Sequence, residues 1–196
     1  MYLYGASGHA KVIIDILRAC GITPDGLIDD NNSTFELCGI PVSHSAAGLS
    51  PVIVSIGNNS VRKKIAERLD CTFATAIHPR AIVSPAATIG EGTVVMAGAV
   101  IEADAVIGKH CIINTGALVN HECRIGDYTH ISPNATLCGN VTVGEGSHIG
   151  AGATVIPGIN IGRWTTIGAG ATVISDIPQH TVAVGTPARI IKHTDK

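Results

Sequence analysis

Residues 82–107 read IVSPAATIGEGTVVMAGAVIEADAVI, with an aliphatic residue at every sixth position. The same spacing continues without a break from Ile77 to Val173. The seventeen positions are Ile77, Val83, Ile89, Val95, Ile101, Ile107, Ile113, Val119, Ile125, Ile131, Leu137, Val143, Ile149, Val155, Ile161, Ile167 and Val173. Neither the 3.6-residue period of a helix nor the two-residue period of a strand reproduces a strict six. The spacing therefore predicts a triangular coil with one hexapeptide on each face and eighteen residues in each turn.

A second set of small residues lies four positions after the aliphatic ones and is predicted to fill the tight interior. Its members are Ala81, Ala87, Ala99, Ala105, Cys111, Ala117, Cys123, Ala135, Ser147, Ala153 and Ala171. Seventeen hexapeptides at three per turn predict between five and six coils, stacked at the strand spacing of ~4.8 Å. No insertion interrupts the repeat, so an active site on this prism must be built from coil residues.

The first 76 residues follow a different pattern, in which short apolar strands alternate with helices. Residues 1–4 predict a strand, 5–8 a glycine turn and 9–20 a helix, and further strands at 26–28 and 51–56 precede a helix that reaches Arg68. Such alternation predicts a small, Rossmann-like parallel sheet. We therefore expect an α/β domain over residues 1–76, an all-β parallel helix over 77–177 and a C-terminal tail over 178–196.

The glycine turn is a candidate nucleotide site. A glycine turn that leads into a helix presents free N–H groups and the positive end of the helix dipole, which suit a phosphate. Asp29 and Asp30, at the end of the next strand, suit a ribose or a base. The spacing Gly5-x-x-Gly8 is not the dinucleotide motif GxGxxG, however, and an ordinary strand-to-helix turn explains it equally well.

Composition argues against several classes of partner. A net charge of -2 gives no basic field to attract nucleic acid or anionic lipid. No apolar run approaches the roughly 20 residues that cross a bilayer, so we expect a cytoplasmic protein without membrane insertion. The six cysteines show no CxxC spacing, which favours reduced thiols over a disulfide framework.

Two pairs of residues in the repeat are candidates for chemistry. His121 and Glu122 fall at a corner of the triangle and are predicted to project outward, where the carboxylate can reach the imidazole. Such a histidine can act as a general base, although a solvated surface pair is the simple alternative. His130 and His148 lie eighteen residues apart and are predicted to stack on one face.

Together with the repeat, several motifs give the chain a resemblance to one enzyme family. They are Gly5 to His9, Asp29-Asp30, Ile56 to Asn59 with Arg62 to Lys64, Asn114-Thr115, His121 to Cys123, and Val184 to Ala188. From residue 1 to about 190 the chain resembles the nucleotide-amino-sugar N-acetyltransferases of the left-handed β-helix class. The bacillosamine-pathway enzymes that act on UDP-linked 4-amino sugars are the nearest match, with GDP-perosamine N-acetyltransferases and sialic-acid O-acetyltransferases as relatives.

The resemblance implies a left-handed coil, a homotrimer, and acetyl-CoA bound in the groove between neighbouring prisms. It implies that Ser7, Gly8, His9, Asp29, Asp30 and Gly57 hold the nucleotide of an amino sugar. It implies that His121 is the general base and that Glu122 polarises it. Acetyl-CoA is implied to lie against His130 and Asn114 and against the main chain near Gly139, Ala151 and Ala169.

The sequence leaves two other functional classes open. Carbonic anhydrases built on hexapeptide coils bind zinc with three histidines, and the stacked pair His130 and His148 suggests such a site. Zinc needs three converging ligands, and no third histidine is clearly placed, so no metal is expected. The other alternative is a non-catalytic prism that only assembles trimers.

The favoured mechanism is direct attack of a sugar amine on the thioester. Neither Cys111 nor Cys123 is the expected nucleophile, because both lie at inward positions.

Overall fold

The computed structural model describes residues 1–194. The N-terminal part is a five-stranded sheet with two helices: β1 (Tyr2–Tyr4), α1 (Gly8–Ala19), β2 (Gly26–Ile28), β3 (Glu36–Leu37), β4 (Ile40–Ser43), β5 (Val52–Val54) and α2 (Asn59–Arg68). The strand order is β3-β4-β2-β1-β5, and all pairs are parallel except β3 with β4. The predicted parallel sheet is thus confirmed.

The antiparallel hairpin of β3 and β4 was not predicted from the sequence. Leu37 pairs with Ile40 across a two-residue turn, in which Cys38 and Gly39 both have positive φ values of 56° and 78°. Two central residues with positive φ are typical of tight hairpin turns, where Asn-Gly or Asp-Gly is the usual signal. Because the first turn residue here is cysteine, and not Asn or Asp, the sequence lacks that signal.

The repeat folds into a parallel β-helix with three faces of two-residue strands. The first face consists of β6 (Ala76–Ile77), β9 (Val94–Val95), β12 (Ile112–Ile113), β15 (His130–Ile131), β18 (His148–Ile149) and β21 (Thr166–Ile167). The second consists of β7 (Ile82–Val83), β10 (Val100–Ile101), β13 (Leu118–Val119), β16 (Thr136–Leu137), β19 (Thr154–Val155) and β22 (Thr172–Val173). The third consists of β8 (Thr88–Ile89), β11 (Val106–Ile107), β14 (Arg124–Ile125), β17 (Thr142–Val143) and β20 (Asn160–Ile161).

The interior of the prism contains the predicted aliphatic column. From Val95 to Val173 every sixth residue is at most 3% exposed, and Cys111 and Cys123 are fully buried at the small inward positions. The exceptions are Ile77, which is 37% exposed, and Val83 and Ile89, which are partly exposed. These three belong to the first turn, which has no preceding coil to cover it.

The opposite end of the prism is closed by residues that were expected to be a tail. Strand β23 (Thr181–Val184) extends the first face beyond β21, and β24 (Arg189–His193) pairs antiparallel with β23. Ala183 and Ala188 are buried in this hairpin and join the core of the prism. Residues 195–196 of the expected tail lie outside the described residues.

The N-terminal domain packs on the first face of the prism. Apolar side chains of β1 and α1, among them Leu3 and Ile13, form one buried cluster with Val94, Met96 and Ile112 of the first face. Asn59, at the start of α2, donates to the carbonyl oxygens of Gly146 and Ser147. The domain therefore covers the first face and leaves the second and third faces of the prism outside this contact.

Arg62 fixes this packing. Its side chain is 1% exposed, and its guanidinium donates to the carbonyl oxygens of Ile56, Gly57, His110 and Tyr128 and to the side-chain oxygen of Asn59. Burial lowers the pKa of Arg62 to about 10. Because the donors are matched by acceptors from both domains, the cation ties the start of α2 to the prism.

Candidate active site

His121 and Glu122 lie on the edge between the second and third faces and project outward, as predicted. Their side chains are 59% and 64% exposed, and Nδ1 of His121 lies 3.3 Å from Oε2 of Glu122. The positive φ of 61° at Glu122 turns the chain at this corner, so two adjacent side chains meet that would diverge on a straight strand. With Nδ1–H donating to the carboxylate, Nε2 of His121 has its lone pair free to accept a proton.

His121 faces a groove of about 460 Å³ along the same edge. The groove is lined by Ile82, Val100 and Glu102 among others. On the next coil, Gly139 lies against the imidazole, and a Cβ there would fall 2.5 Å from Nε2 of His121. Only glycine at position 139 leaves room for this ring position.

Asn114 and His130 meet at the other side of the second face, on its edge with the first. The amide nitrogen Nδ2 of Asn114 lies 3.0 Å from Nε2 of His130, and Oδ1 of Asn114 accepts the Thr115 N–H. Since the oxygen is occupied by Thr115, the amide nitrogen faces the ring and donates to it. His130 is therefore the neutral tautomer that accepts at Nε2 and carries its proton on Nδ1. Burial, and next the neighbouring His148, lower the pKa of His130 to about 3.

His148 stacks on His130, as the eighteen-residue spacing predicted. The ring centroids are 4.8 Å apart and the ring planes differ by 3°. Nε2 of His148 lies 2.7 Å from the hydroxyl of Ser132. Burial lowers the pKa of His148 as well, and Arg62 adds to the effect.

Among the described residues, the stacked histidines are not part of a group arranged to bind a metal. Within residues 1–194, no group of three or more His, Cys, Asp or Glu side chains is arranged to hold a metal ion. The Nε2 atoms of both rings already have protein partners, Asn114 and Ser132. Zinc needs three converging ligands, and among the described residues of one chain no third ligand joins the stacked pair.

Ala151 and Ala169 lie on the same edge as Asn114. Both are exposed, and they are stacked, since Gly170 N–H donates to the carbonyl of Ala151 at 2.8 Å. The four residues expected to contact the cofactor, Asn114, His130, Ala151 and Ala169, therefore form one line along the prism. Gly139, the fifth, lies on the far edge of the second face with His121.

The glycine turn of the N-terminal domain is held by Asp29. Its two carboxylate oxygens accept the N–H groups of Ala6, at 2.6 Å, and Asn31, at 2.8 Å. Ser7 and Gly8 at the start of α1 are exposed, and in the described structure the Ser7 side chain makes no capping bond to the helix. The turn thus presents a free hydroxyl and helix-start N–H groups, while Asp29 holds the loop in place.

Asp30 belongs to a second polar group. Its carboxylate accepts the Tyr4 hydroxyl at 2.5 Å and pairs with Arg68 at 3.2 Å. The hydrogen bond from Tyr4 is the main reason that the pKa of Asp30 is lowered, and burial followed by Asp30 raises the pKa of Tyr4 to about 12. Asp30 remains 63% exposed, so its free surface is available to a ligand.

His9 and Gly57 follow two strands of the N-terminal sheet, on the side that faces the stacked histidines. Nε2 of His9 is buried and has no hydrogen-bond partner among the described residues. Burial, and next Arg62, lower the pKa of His9 to about 4. Gly57 lines a groove of about 330 Å³ that it shares with Asn58, Asn59, His148 and Thr166. The ends of β1 and β5 thus open toward the first face where His148 lies.

Within one chain the predicted site residues fall into two groups. Ser7, Gly8, His9, Asp29, Asp30, Gly57, Asn114, His130, Ala151 and Ala169 belong to the N-terminal domain, the first face or its edge with the second. His121, Glu122 and Gly139 lie on the opposite edge of the second face. The second face separates the groups, and its outward side chains are Ile82, Val100, Leu118, Thr136, Thr154 and Thr172. Of these side chains, Ile82 is 67% exposed.

The sequence did not single out Ser132 or the role of Arg62. A sixteen-residue spacing joins Asn114 to His130 and Ser132 to His148, so the repeat did contain a signal for Ser132. No pattern in the sequence indicated that Arg62 joins the two domains, because its acceptors on the prism, the main-chain carbonyls of His110 and Tyr128, are distant in sequence.

Comparison with known families divides the chain where its architecture changes. Residues 1–69 match the PglD N-terminal domain family. The bacterial transferase hexapeptide (six repeats) family matches residues 86–121, 104–139, 122–157 and 140–175.

Individual relatives support the same assignment. A UDP-N-acetylbacillosamine N-acetyltransferase of Bacillus subtilis (strain 168) is 50% identical over 108 residues, an alignment that covers 48% of this chain and 50% of that protein. The alignment thus spans about half the length of that relative. The structure of PerB from Caulobacter crescentus in complex with CoA and GDP-perosamine is 42% identical, with a TM-score of 0.92 and coverage of 97% of this chain and 96% of that chain. The acetyltransferase domain of PglB from Neisseria gonorrhoeae is 38% identical, with a TM-score of 0.90 and coverage of 97% and 98%.

Proposed function

The chain belongs to the left-handed β-helix N-acetyltransferases of nucleotide-linked amino sugars, and on that premise we propose that it acetylates the 4-amino group of a UDP-linked amino-deoxy sugar with acetyl-CoA. Identity of 50% to the Bacillus UDP-N-acetylbacillosamine N-acetyltransferase supports this acceptor. The observation that carries the proposal is the His121–Glu122 pair, with its 3.3 Å contact beside an open groove.

In the proposed reaction the amine nitrogen attacks the thioester carbonyl of acetyl-CoA. The new C–N bond forms as the C–S bond breaks, and CoA leaves as the thiol. His121 accepts the proton from the amine at Nε2, while Glu122 holds Nδ1–H and stabilises the imidazolium. That proton then passes to the departing sulfur. His130 contacts the acetyl group, Asn114 lines the same site, and no covalent enzyme intermediate is required.

The proposal includes a homotrimer, because the two groups of site residues lie on opposite edges of the second face. Three prisms that turn this face toward a common axis place the His121 edge of each copy against the Asn114 edge of the next. Ile82, Val100 and Leu118 then pack at the axis, where burial of apolar surface stabilises the assembly. Each active site would combine the N-terminal domain of one copy with His121 of its neighbour.

A mixing experiment tests both the reaction and the shared site. His121→Ala alone should lower turnover roughly a hundredfold or more. Co-expression of His121→Ala chains with His130→Ala chains should restore activity, because about a quarter of the sites in randomly assembled trimers combine both intact residues. Co-expressed chains no more active than the separate variants would contradict a shared site. A His121→Ala variant with unchanged turnover would contradict the mechanism.

GDP-perosamine is the second candidate acceptor. The PerB structure that contains GDP-perosamine aligns over 97% of this chain, whereas the Bacillus UDP-N-acetylbacillosamine N-acetyltransferase aligns over 48%. Thermal-shift measurements with UDP- and GDP-linked amino sugars separate the candidates, because the cognate nucleotide sugar should raise the melting temperature by mass action. The expected nucleotide contacts are Ser7, Gly8, His9, Asp29, Asp30 and Gly57, with Asp29 acting chiefly through the turn it holds.

A further inference from the structure

We infer that His148 and Ser132 are positioning residues, which together hold the ring of His130 in the one orientation in which Asn114 fixes its tautomer, for its contact with the acetyl group. The inference rests on the proposed function, in which His130 touches acetyl-CoA. It extends the site by one coil, to two residues that the sequence did not assign to it.

The geometry links the two rings into one unit. The imidazoles of His130 and His148 lie parallel, with 4.8 Å between centroids and 3° between planes. Each ring is held at Nε2 by a residue of the same edge, sixteen positions earlier in the chain: Asn114 for His130 and Ser132 for His148. Because the rings are in contact, His130 cannot rotate about its Cβ–Cγ bond unless His148 moves, and Ser132 opposes that movement at 2.7 Å.

The surroundings also keep His130 neutral. The charged or titratable groups that act on it are His148, Arg62 and His9, and all three oppose a positive charge on the ring. A neutral ring that accepts from Asn114 at Nε2 has its single donor at Nδ1. In this form His130 can donate one hydrogen bond to a carbonyl oxygen and cannot take the proton that His121 must receive.

A rival role for His148 is direct contact with the nucleotide sugar. His148 lines the groove with Gly57, which is itself expected to bind the nucleotide. Removal of a substrate contact raises KM, whereas misplacement of a group that acts in the transition state lowers kcat. The two roles therefore differ in steady-state kinetics.

The test uses two variants and one control. Ser132→Ala removes the hydroxyl alone, and His148→Gln removes the stacked ring. Thr142→Val is the matched control. It also removes a hydroxyl, and Thr142 occupies the same hexapeptide position as His148 but lies on the third face, away from the stacked rings. Melting temperatures of all three variants establish that they are folded before rates are compared.

We expect both variants to lower kcat, by about tenfold for His148→Gln, because small displacements of a reacting group are costly. KM for the nucleotide sugar should not change, and Thr142→Val should behave as the parent. In 15N NMR spectra of the ligand-free protein, His130 should change from the single Nδ1–H tautomer to a mixture. A raised KM with unchanged kcat would overturn the inference, as would an unaltered His130 tautomer in both variants. The NMR measurement needs no turnover, so it distinguishes this failure from the absence of acetyltransferase activity in the parent.

Discussion

Gly139 lies one coil beyond His121, and a methyl group at this position would fall 2.5 Å from two atoms of the imidazole ring. The place of the candidate base is therefore set by the absence of a side chain on the next coil. The clash would be with an exposed side chain that can swing away, so Gly139 matters for where His121 points and little for the stability of the prism.

Gly139→Ala should therefore lower acetyl transfer by about tenfold or more, since the displaced imidazole no longer reaches the amine. Its melting temperature should stay close to that of the parent. Gly144→Ala is the contrast, because its Cβ would fall 2.4 Å from the main-chain nitrogen of Arg163, which cannot move aside. That variant should lose about 1–3 kcal/mol of stability from overpacking. Equal activity in Gly139→Ala and the parent would contradict the assigned position of His121.

Glu122→Gln should lower kcat by less than His121→Ala does, about tenfold, because the base remains but loses the carboxylate that orients Nδ1–H. Glu102→Gln is the matched control, since Glu102 lines the same groove without a bond to His121. Steady-state kinetics on the three variants give the order of effects. A larger loss in Glu102→Gln than in Glu122→Gln would contradict the assignment.

The buried histidines should make stability fall in mild acid. Burial lowers the pKa of His9 and His110 to about 4 and that of His130 to about 3, from the ordinary value of 6.5. As the pH drops below 6.5 the unfolded chain binds protons that the folded protein does not, so stability present above pH 6.5 is lost progressively toward pH 4. Thermal melts at a series of pH values measure this slope.

His110→Phe should reduce that slope, because phenylalanine keeps the stacking on Tyr128 and the edge contact with Phe73 but cannot bind a proton. It also removes the Nδ1 atom of His110, which is buried without a hydrogen-bond partner among the described residues. The loss of melting temperature between pH 7 and pH 5 should be smaller than in the parent. An identical loss would show that His110 does not contribute to the pH dependence.

Val100→Glu should dissociate the proposed trimer and abolish activity, because it places a charge on the second face, where three copies are proposed to meet. Val106→Glu is the matched control on the third face, at the same hexapeptide position and 39% exposed. Light scattering and activity should change together in the first variant only. A Val100→Glu protein that keeps its oligomeric mass and its rate would contradict the proposed axis.

The repeat made much of this structure predictable. A strict period of six assigns each residue to a face, an edge or the interior, so it placed His121 outside, Cys123 inside and His130 against His148. The hairpin around Cys38 and Gly39 was missed, because local sequence gives a weak signal when the turn residue is unusual. The two strands after residue 180 were missed because the repeat does not extend there. They form because β23 pairs with the last coil and β24 pairs with β23.

Sequence by itself determined the coil, because the six-residue period fixes the face, edge or interior position of each residue in the β-helix. It also located the His121–Glu122 pair and the glycine turn, which are both local. Only the tertiary structure decided that the N-terminal domain covers the first face, through apolar contacts and the acceptors of Arg62. That packing puts the expected nucleotide contacts on the side of Asn114 and His130 and away from His121, and it depends on contacts between distant segments that no local pattern encodes.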